Sequence, residues 1–243
     1  MTEFSGKIAL VTGASIGIGR ATALQLAQSG ADVALGYLQD AEGAGETRAM
    51  VEAAGSKALV VRADVSRDAE VKAMVARVEA ELGPVDILIN NAGWARRQEM
   101  DQITEADWDA VVGVNMKSVF LVTRACLPHM QKQRWGRIVN VSSGAARMGG
   151  LMGIHYSAAK AGMEGLTRAY ASRLVKEGIT VNAVAPMLIH TGEKRDNVAR
   201  QKMVPLGRQG TAEEVAGAIM LCAGTEFMTG QTVHMSGGVY SGG

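Results

Sequence analysis

The chain has 243 residues, a formal net charge of +1 and 47% hydrophobic residues, with only 3 Phe, 4 Tyr and 3 Trp. A mean hydropathy of +0.07 with so little net charge excludes a disordered chain and leaves no electrostatic footprint for nucleic acid or an anionic membrane. The 30 glycines exceed the usual share of roughly 7%, and the apolar content rules out collagen or a flexible linker as their source.

In chain order, the short apolar runs Ile8–Val11, Val33–Leu35, Ala58–Val61, Val85–Ile89, Ile138–Val141, Ile179–Val184 and Thr232–Met235 read as strands buried on both faces. Helical patterns fill the intervals at about 18–29, 41–54, 67–82, 104–133, 156–177 and 212–222. This alternation predicts an α/β fold with a parallel sheet covered by helices on both faces. Gly30, Gly55, Gly83, Gly136 and Gly178 each follow a helical pattern, where a left-handed residue ends a helix. Thr104-Glu-Ala-Asp107 reads as a capping box and Asp40 as a helix cap. The absence of repeats and Pro-rich linkers favours one domain over residues 1–243, with an irregular substrate loop at about 186–211. No basic and apolar leader is present, and no apolar run approaches the roughly 20 residues of a membrane span. With Cys126 and Cys222 in apolar helical stretches, the expectation is a soluble cytoplasmic protein with reduced thiols.

The first strand runs into Thr12-Gly13-Ala14-Ser15-Ile16-Gly17-Ile18-Gly19, and a helix follows. Glycines there permit a tight turn and close backbone approach, and the helix N-terminus offers N–H groups to a pyrophosphate; a turn serving packing alone is the other reading. After the fourth strand, Asn90-Asn91-Ala92-Gly93 places amide groups at the carboxyl edge, as a ligand site or an ordinary Asx turn. Tyr156 and Lys160 stand four residues apart on one helical face. A lysine cation near tyrosine would lower its pKa from about 10 towards a working general acid/base; a solvated surface pair has the same spacing. Ser143 follows the fifth strand and can share a substrate oxygen with Tyr156, or serve only as a turn residue. Asn115, inside an apolar helix, needs partners for its amide, from water, backbone or packing neighbours. The four histidines show no metal-ligand spacing.

These motifs, in this order and spacing over essentially the whole chain, resemble the short-chain dehydrogenase/reductase family. The similarity is greatest to 3-oxoacyl-(acyl carrier protein) reductase and acetoacetyl-CoA reductase members. The resemblance implies a single-domain Rossmann fold with a doubly wound seven-stranded parallel sheet. It also implies an NAD(P)(H)-dependent oxidoreductase and a homotetramer, for which the stripe Trp108, Val111, Val112, Phe120 and Val122 is compatible. Tyr156 would protonate the substrate carbonyl oxygen, and Lys160 would lower its pKa and hold the nicotinamide ribose. Ser143 would polarise the carbonyl, and Asn115 would hold a water that links Lys160 to solvent. Gly13, Ser15, Ile16, Gly17, Ile18, Gly19, Tyr37, Asp64, Val65, Asn91, Ala92, Gly93, Pro186 and Thr191 would line the cofactor together with Tyr156 and Lys160.

Departures from the family pattern bear on specificity. Ile16 stands where members that use the phosphorylated cofactor often carry arginine, and Tyr37 stands where NAD-dependent members often carry aspartate. Without the repelling carboxylate, NADP(H) is slightly favoured over NAD(H), with Arg20, Gln39 or Arg62 as candidate phosphate partners. Met187 replaces the glycine of the family's Pro-Gly and would reshape the wall near the nicotinamide. Arg134 matches one position that docks an acidic carrier protein, whereas Glu177 reverses the charge at another. The expected substrate is a 3-oxoacyl thioester, with an acyl carrier protein as a possible partner. The alternatives are a sugar, polyol or small-alcohol dehydrogenase and a non-catalytic nucleotide sensor.

Overall fold

The computed structural model describes residues 3–149, 152–191 and 201–240. Its elements are β1 (Ile8–Thr12), α1 (Gly17–Gln28), β2 (Asp32–Tyr37), α2 (Ala41–Ala53), β3 (Ala58–Arg62), α3 (Asp68–Glu81) and β4 (Ile87–Asn90). There follow α4 (Glu105–Val112), α5 (Ser118–Gln133), β5 (Gly136–Val141), the short α6 (Ala145–Met148) and α7 (Ile154–Leu174). The last elements are β6 (Ile179–Pro186), β7 (Ile189–His190), β8 (Gly210–Thr211), α8 (Ala212–Gly224) and β9 (Thr232–Met235). Seven strands form one sheet in the order β3-β2-β1-β4-β5-β6-β9, all pairs parallel.

Alternating strand residues feed two cores, because successive side chains leave opposite faces of a strand. Leu10 of β1 joins Val71 and Met74 of α3, Val122 and Met130 of α5, and Leu174 of α7. Its neighbours Ala9 and Val11 join Ala23 and Leu26 of α1 and Val215 and Ile219 of α8 on the other face. The predicted doubly wound fold is what forms. Burial on both faces holds for β1, β4 and β5, but the edge strands β3 and β9 are only partly covered, because each has a neighbour on one side alone. The order reverses between β1 and β4, and that switch point opens a crevice at the carboxyl edge.

Several expectations need correction. The single helix over 104–133 divides into α4, a π-helical turn at Gly113–Lys117 and α5, and the wider turn changes the direction in which Asn115 projects. Gly30, Gly55, Gly83 and Gly178 take positive φ, but Gly136 does not; Arg134 (φ 56) is the left-handed residue after α5. Gly136 instead gives room, since a Cβ there would lie 2.7 Å from the Met130 sulfur. The apolar stripe, which suits subunit contact and intrachain core equally, splits between the two. Val111 and Val122 are fully buried within the chain, while Trp108 and Phe120 are 39% and 40% exposed.

Among the described residues, Glu105–Gln133 alone contains an 18-residue window of mean hydropathy 1.4, long and apolar enough by composition to cross a bilayer, as core helices also are. Val119, Leu121, Cys126 and Met130 of this stretch pack into the core. The stretch expected as a loop at 186–211 includes β7 and β8, which pair with each other; its residues 192–200 lie outside the described part. The capping box at Thr104 and Asp107 forms as expected, as does the Asp40 cap on α2.

Candidate active site

The glycine turn and the β4 end are built as one unit. Thr12 accepts from the amides of Asn91 and Ala92, each at 3.0 Å. The Asn91 side chain donates back to the carbonyls of Thr12 (3.0 Å) and Gly13 (2.9 Å). Asn91 is therefore a pin for the turn, and Thr12, absent from the expected site residues, is its partner. A Cβ at Gly19 would collide with the Gly13 carbonyl and lie 2.6 Å from the Asn91 amide nitrogen. The α1 N-cap residue Ile16 has an exposed side chain and gives the helix no side-chain cap, so this N-terminus keeps donors for an anion. A cradle too narrow for a Cβ, closed on an uncapped helix, fits a pyrophosphate.

The other expected cofactor residues lie at or just beyond strand ends. Thr191 lies against Gly17, where a Cβ would sit 3.0 Å from its own Cβ. Tyr37 ends β2, half-buried, and Val65 is buried beyond β3. Burial alone would raise the Asp64 pKa, but hydrogen bonds from the Ser66 hydroxyl and amide, with Arg67 nearby, hold it below the usual value. The Ser15 hydroxyl donates to the Asp40 carbonyl at 2.8 Å and keeps acceptor capacity, while its own carbonyl accepts from Arg20.

A second cluster lies beside the first. Asn115 is 0% exposed. Its amide nitrogen donates to the carbonyls of Trp94 (2.6 Å) and Val111 (2.9 Å), and its oxygen accepts from the Trp94 amide at 3.3 Å. Its side chain thus braces the segment after β4, and sequence reasoning missed Trp94 because that bond uses backbone atoms. Gly93 separates Asn115 from Lys160: a Cβ there would lie 2.9 Å from the Asn115 oxygen and 3.5 Å from the Lys160 nitrogen.

Lys160 is buried and donates to the Val141 carbonyl at 2.7 Å. Its Nζ stands 5.8 Å from the centre of the Tyr156 ring. Burial pushes the Tyr156 pKa up, and the Ser143 hydroxyl pulls it partly back. The expected lowering by Lys160 is corrected here, because the buried amine is itself penalised and its pKa falls to about 7. Tyr156 is therefore a neutral phenol at pH 7, able to give a proton to an oxygen that also meets Ser143.

The loop after Ser143 is clamped by groups that no sequence motif marked. Buried Glu164 accepts from Ser142 at 3.2 Å and pairs with Arg147 at 2.9 Å, tying α6 to α7. Met187 packs on Gly144, whose Cβ position lies 2.9 Å from the methionine sulfur, and the Gly144 amide donates to the Pro186 carbonyl at 3.0 Å. The residue after Met187, Leu188, takes the left-handed conformation (φ 52). His155 is buried and its Nδ1 accepts from the Tyr156 amide at 3.0 Å, a brace at the start of α7.

Lys160 carries a pH signature. With a folded pKa of about 7 and an unfolded value of about 10.4, the unfolded chain holds the extra proton between those limits. Stability from this group therefore rises with pH through that window, and its penalty is fully in force below the folded pKa. Thermal unfolding of the cofactor-free protein should show a rising melting temperature from about pH 7 to 10 relative to Lys160→Met. Parallel pH profiles for the two proteins would reject a depressed Lys160.

The profile of the short chain dehydrogenases matches residues 7–202. The chain is 43% identical to nodulation protein G of Azospirillum brasilense, covering 97% of this chain and 98% of that protein. It is 41% identical to the 3-oxoacyl-[acyl-carrier-protein] reductase FabG of Pseudomonas aeruginosa, covering 98% and 99%. It is 40% identical to the 3-oxoacyl-[acyl-carrier-protein] reductase of a Synechocystis strain, again covering 98% and 99%. The chain belongs to the short-chain dehydrogenase family. It is an oxidoreductase that uses NAD(P)(H).

Proposed function

We propose that this enzyme reduces the keto group of a 3-oxoacyl thioester to the 3-hydroxyacyl thioester, with NADP(H) favoured over NAD(H). The observation that supports the reading is the Tyr156 phenol beside the Ser143 hydroxyl and buried Lys160, next to a glycine turn too narrow for a Cβ. Similarity over nearly the whole length to proteins named as 3-oxoacyl reductases supports the substrate class.

Gly13, Gly17, Gly19 and the N–H groups of α1 would hold the pyrophosphate, with Ser15, Ile16 and Ile18 contributing backbone. Tyr37, Asp64 and Val65 would line the adenosine end. Asn91, Ala92, Gly93, Pro186 and Thr191 would line the nicotinamide end with Tyr156 and Lys160. When bound, the reduced dinucleotide supplies a hydride to the carbonyl carbon. Ser143 donates a hydrogen bond to the carbonyl oxygen, and Tyr156 gives that oxygen its proton. Lys160 would bind the ribose hydroxyls, and Asn115 would connect Lys160 to solvent protons. The absence of a carboxylate at the end of β2 supports the NADP(H) preference.

The carrier half of the thioester meets a mixed surface. The Arg134 side chain donates to the Lys176 carbonyl at 2.6 Å, and Glu177 follows in the same turn. The free, buried thiols Cys126 and Cys222, the latter pushed up to about 11 by burial, suit a reducing cytoplasm. Exposed Trp108 and Phe120 suit the proposed homotetramer. Residues 1–243 would act as one catalytic domain, with 186–211 bordering the substrate.

Oxidation of NADPH by acetoacetyl-CoA and by acetoacetyl-(acyl carrier protein) tests the reading, against oxidation of a polyol panel with NADP+. At least one thioester should exceed every polyol in kcat/KM by about 100-fold. Polyol oxidation without thioester turnover would reject it.

A further inference from the structure

An NADP(H) site needs a cation for the 2′-phosphate, and among the described residues the cradle above contains none. In a doubly wound α/β fold the adenosine ribose lies at the carboxyl end of the second strand, and a nearby arginine accommodates the phosphate. Here that end is Tyr37, followed by Leu38, Gln39 and Asp40.

Arg20 is already engaged. Its guanidinium donates to the Ser15 carbonyl (2.9 and 2.6 Å), the Thr47 hydroxyl (3.0 Å) and the Gly43 carbonyl (3.1 Å), and it pairs with Glu46 at 2.7 Å. It fastens α1 to α2. Gln39 has no charge. Arg62 differs from both. It is the last residue of β3, in register with Tyr37 on the neighbouring strand. Its Nε donates to the Leu38 carbonyl at 3.0 Å, which holds the exposed guanidinium immediately beyond the end of β2. Its two Nη nitrogens make no hydrogen bond or ion pair among the described residues, leaving four N–H donors.

The carboxylates near this edge are mostly committed elsewhere. Asp40 accepts from the Gly43 amide at 2.9 Å as the α2 cap. Asp64 is bonded to Ser66 and Arg67. Glu42 lines the groove that also holds Arg20 and Glu46.

We propose that Arg62 receives the 2′-phosphate of NADP(H) through its Nη nitrogens and sets the cofactor preference of this chain. A planar guanidinium pre-positioned by one backbone bond presents the paired donors that a phosphate accepts. The role rests on the NADP(H) reading above and explains how the site manages without an arginine at Ile16.

Fluorescence titration of the wild type, Arg62→Gln and Arg62→Lys with NADPH and NADH tests it. Competition by 2′,5′-ADP and by 5′-ADP adds a binding readout free of the nicotinamide. Arg62→Gln should weaken NADPH and 2′,5′-ADP by about 10-fold or more and leave NADH and 5′-ADP within about twofold. Arg62→Lys should recover part of the loss, and added salt should narrow the difference between wild type and Arg62→Gln. If the wild type prefers NADPH and Arg62→Gln keeps that preference, the role of Arg62 is overturned and the NADP(H) reading survives. Equal loss of NADPH and NADH binding likewise overturns the role. A wild type that prefers NADH overturns both.

Discussion

Tyr156→Phe should lower kcat by about 10²- to 10⁴-fold, the usual range for a positioned general acid, while dinucleotide affinity stays near that of the wild type. The substitution removes one oxygen from a partly buried ring whose packing is otherwise retained. Burial keeps the phenol protonated, and the Ser143 hydroxyl partly offsets that effect. The proton needed at the carbonyl oxygen is therefore present before the reaction and absent in the variant. Lys160 stays hydrogen-bonded to Val141 in either protein, which is why binding should survive. Single-turnover rates and a dinucleotide titration separate the two quantities. Residual turnover within about tenfold of the wild type would remove Tyr156 as the acid.

Gly19→Ala should abolish measurable dinucleotide binding, a loss of about 100-fold or more, and cost about 1–3 kcal/mol of stability as an overpacked site does. The new methyl would meet the Gly13 carbonyl and the Asn91 side chain, and neither can withdraw freely. The Gly13 carbonyl is held by Asn91 at 2.9 Å. On the other side, α1 is anchored by Ala23 and Leu26 in the core. Gly45 provides the control, because a Cβ there meets nothing within 4 Å. In the interior of α2, Gly45→Ala should raise stability by about 0.5–1 kcal/mol and leave binding alone. Unfolding curves and titrations of the two variants give the comparison; wild-type affinity in Gly19→Ala would show that the turn is not the cradle.

The strands of the sheet were legible because each is a short apolar run, and hydrophobic burial acts on composition regardless of partners. The glycine turn, Asn115, Ser143, Tyr156 and Lys160 stood out as candidates because polar residues and glycines recur there at motif spacing. The supporting shell was not. Trp94 and Val141 act through backbone carbonyls, which every residue possesses. Glu164 and Arg147 are 17 positions apart and look like surface charges until α6 folds onto α7. Gly136 looked like a helix stop, but it clears space for Met130, and Arg134 adopts the left-handed turn.

The sequence by itself determined the α/β alternation, the glycine turn after β1 and the candidate reactive side chains, since these follow from local patterning and residue chemistry. Tertiary structure alone decided the electrostatics. Lys160 is buried against the Val141 carbonyl, so it loses basicity, while burial raises the Tyr156 pKa. Arg20 and Arg62, equal candidates as letters, part company because one is surrounded by α2 acceptors and the other projects beyond the end of β2. Desolvation and long-range hydrogen bonding depend on which groups become neighbours in space, and chain order does not carry that information.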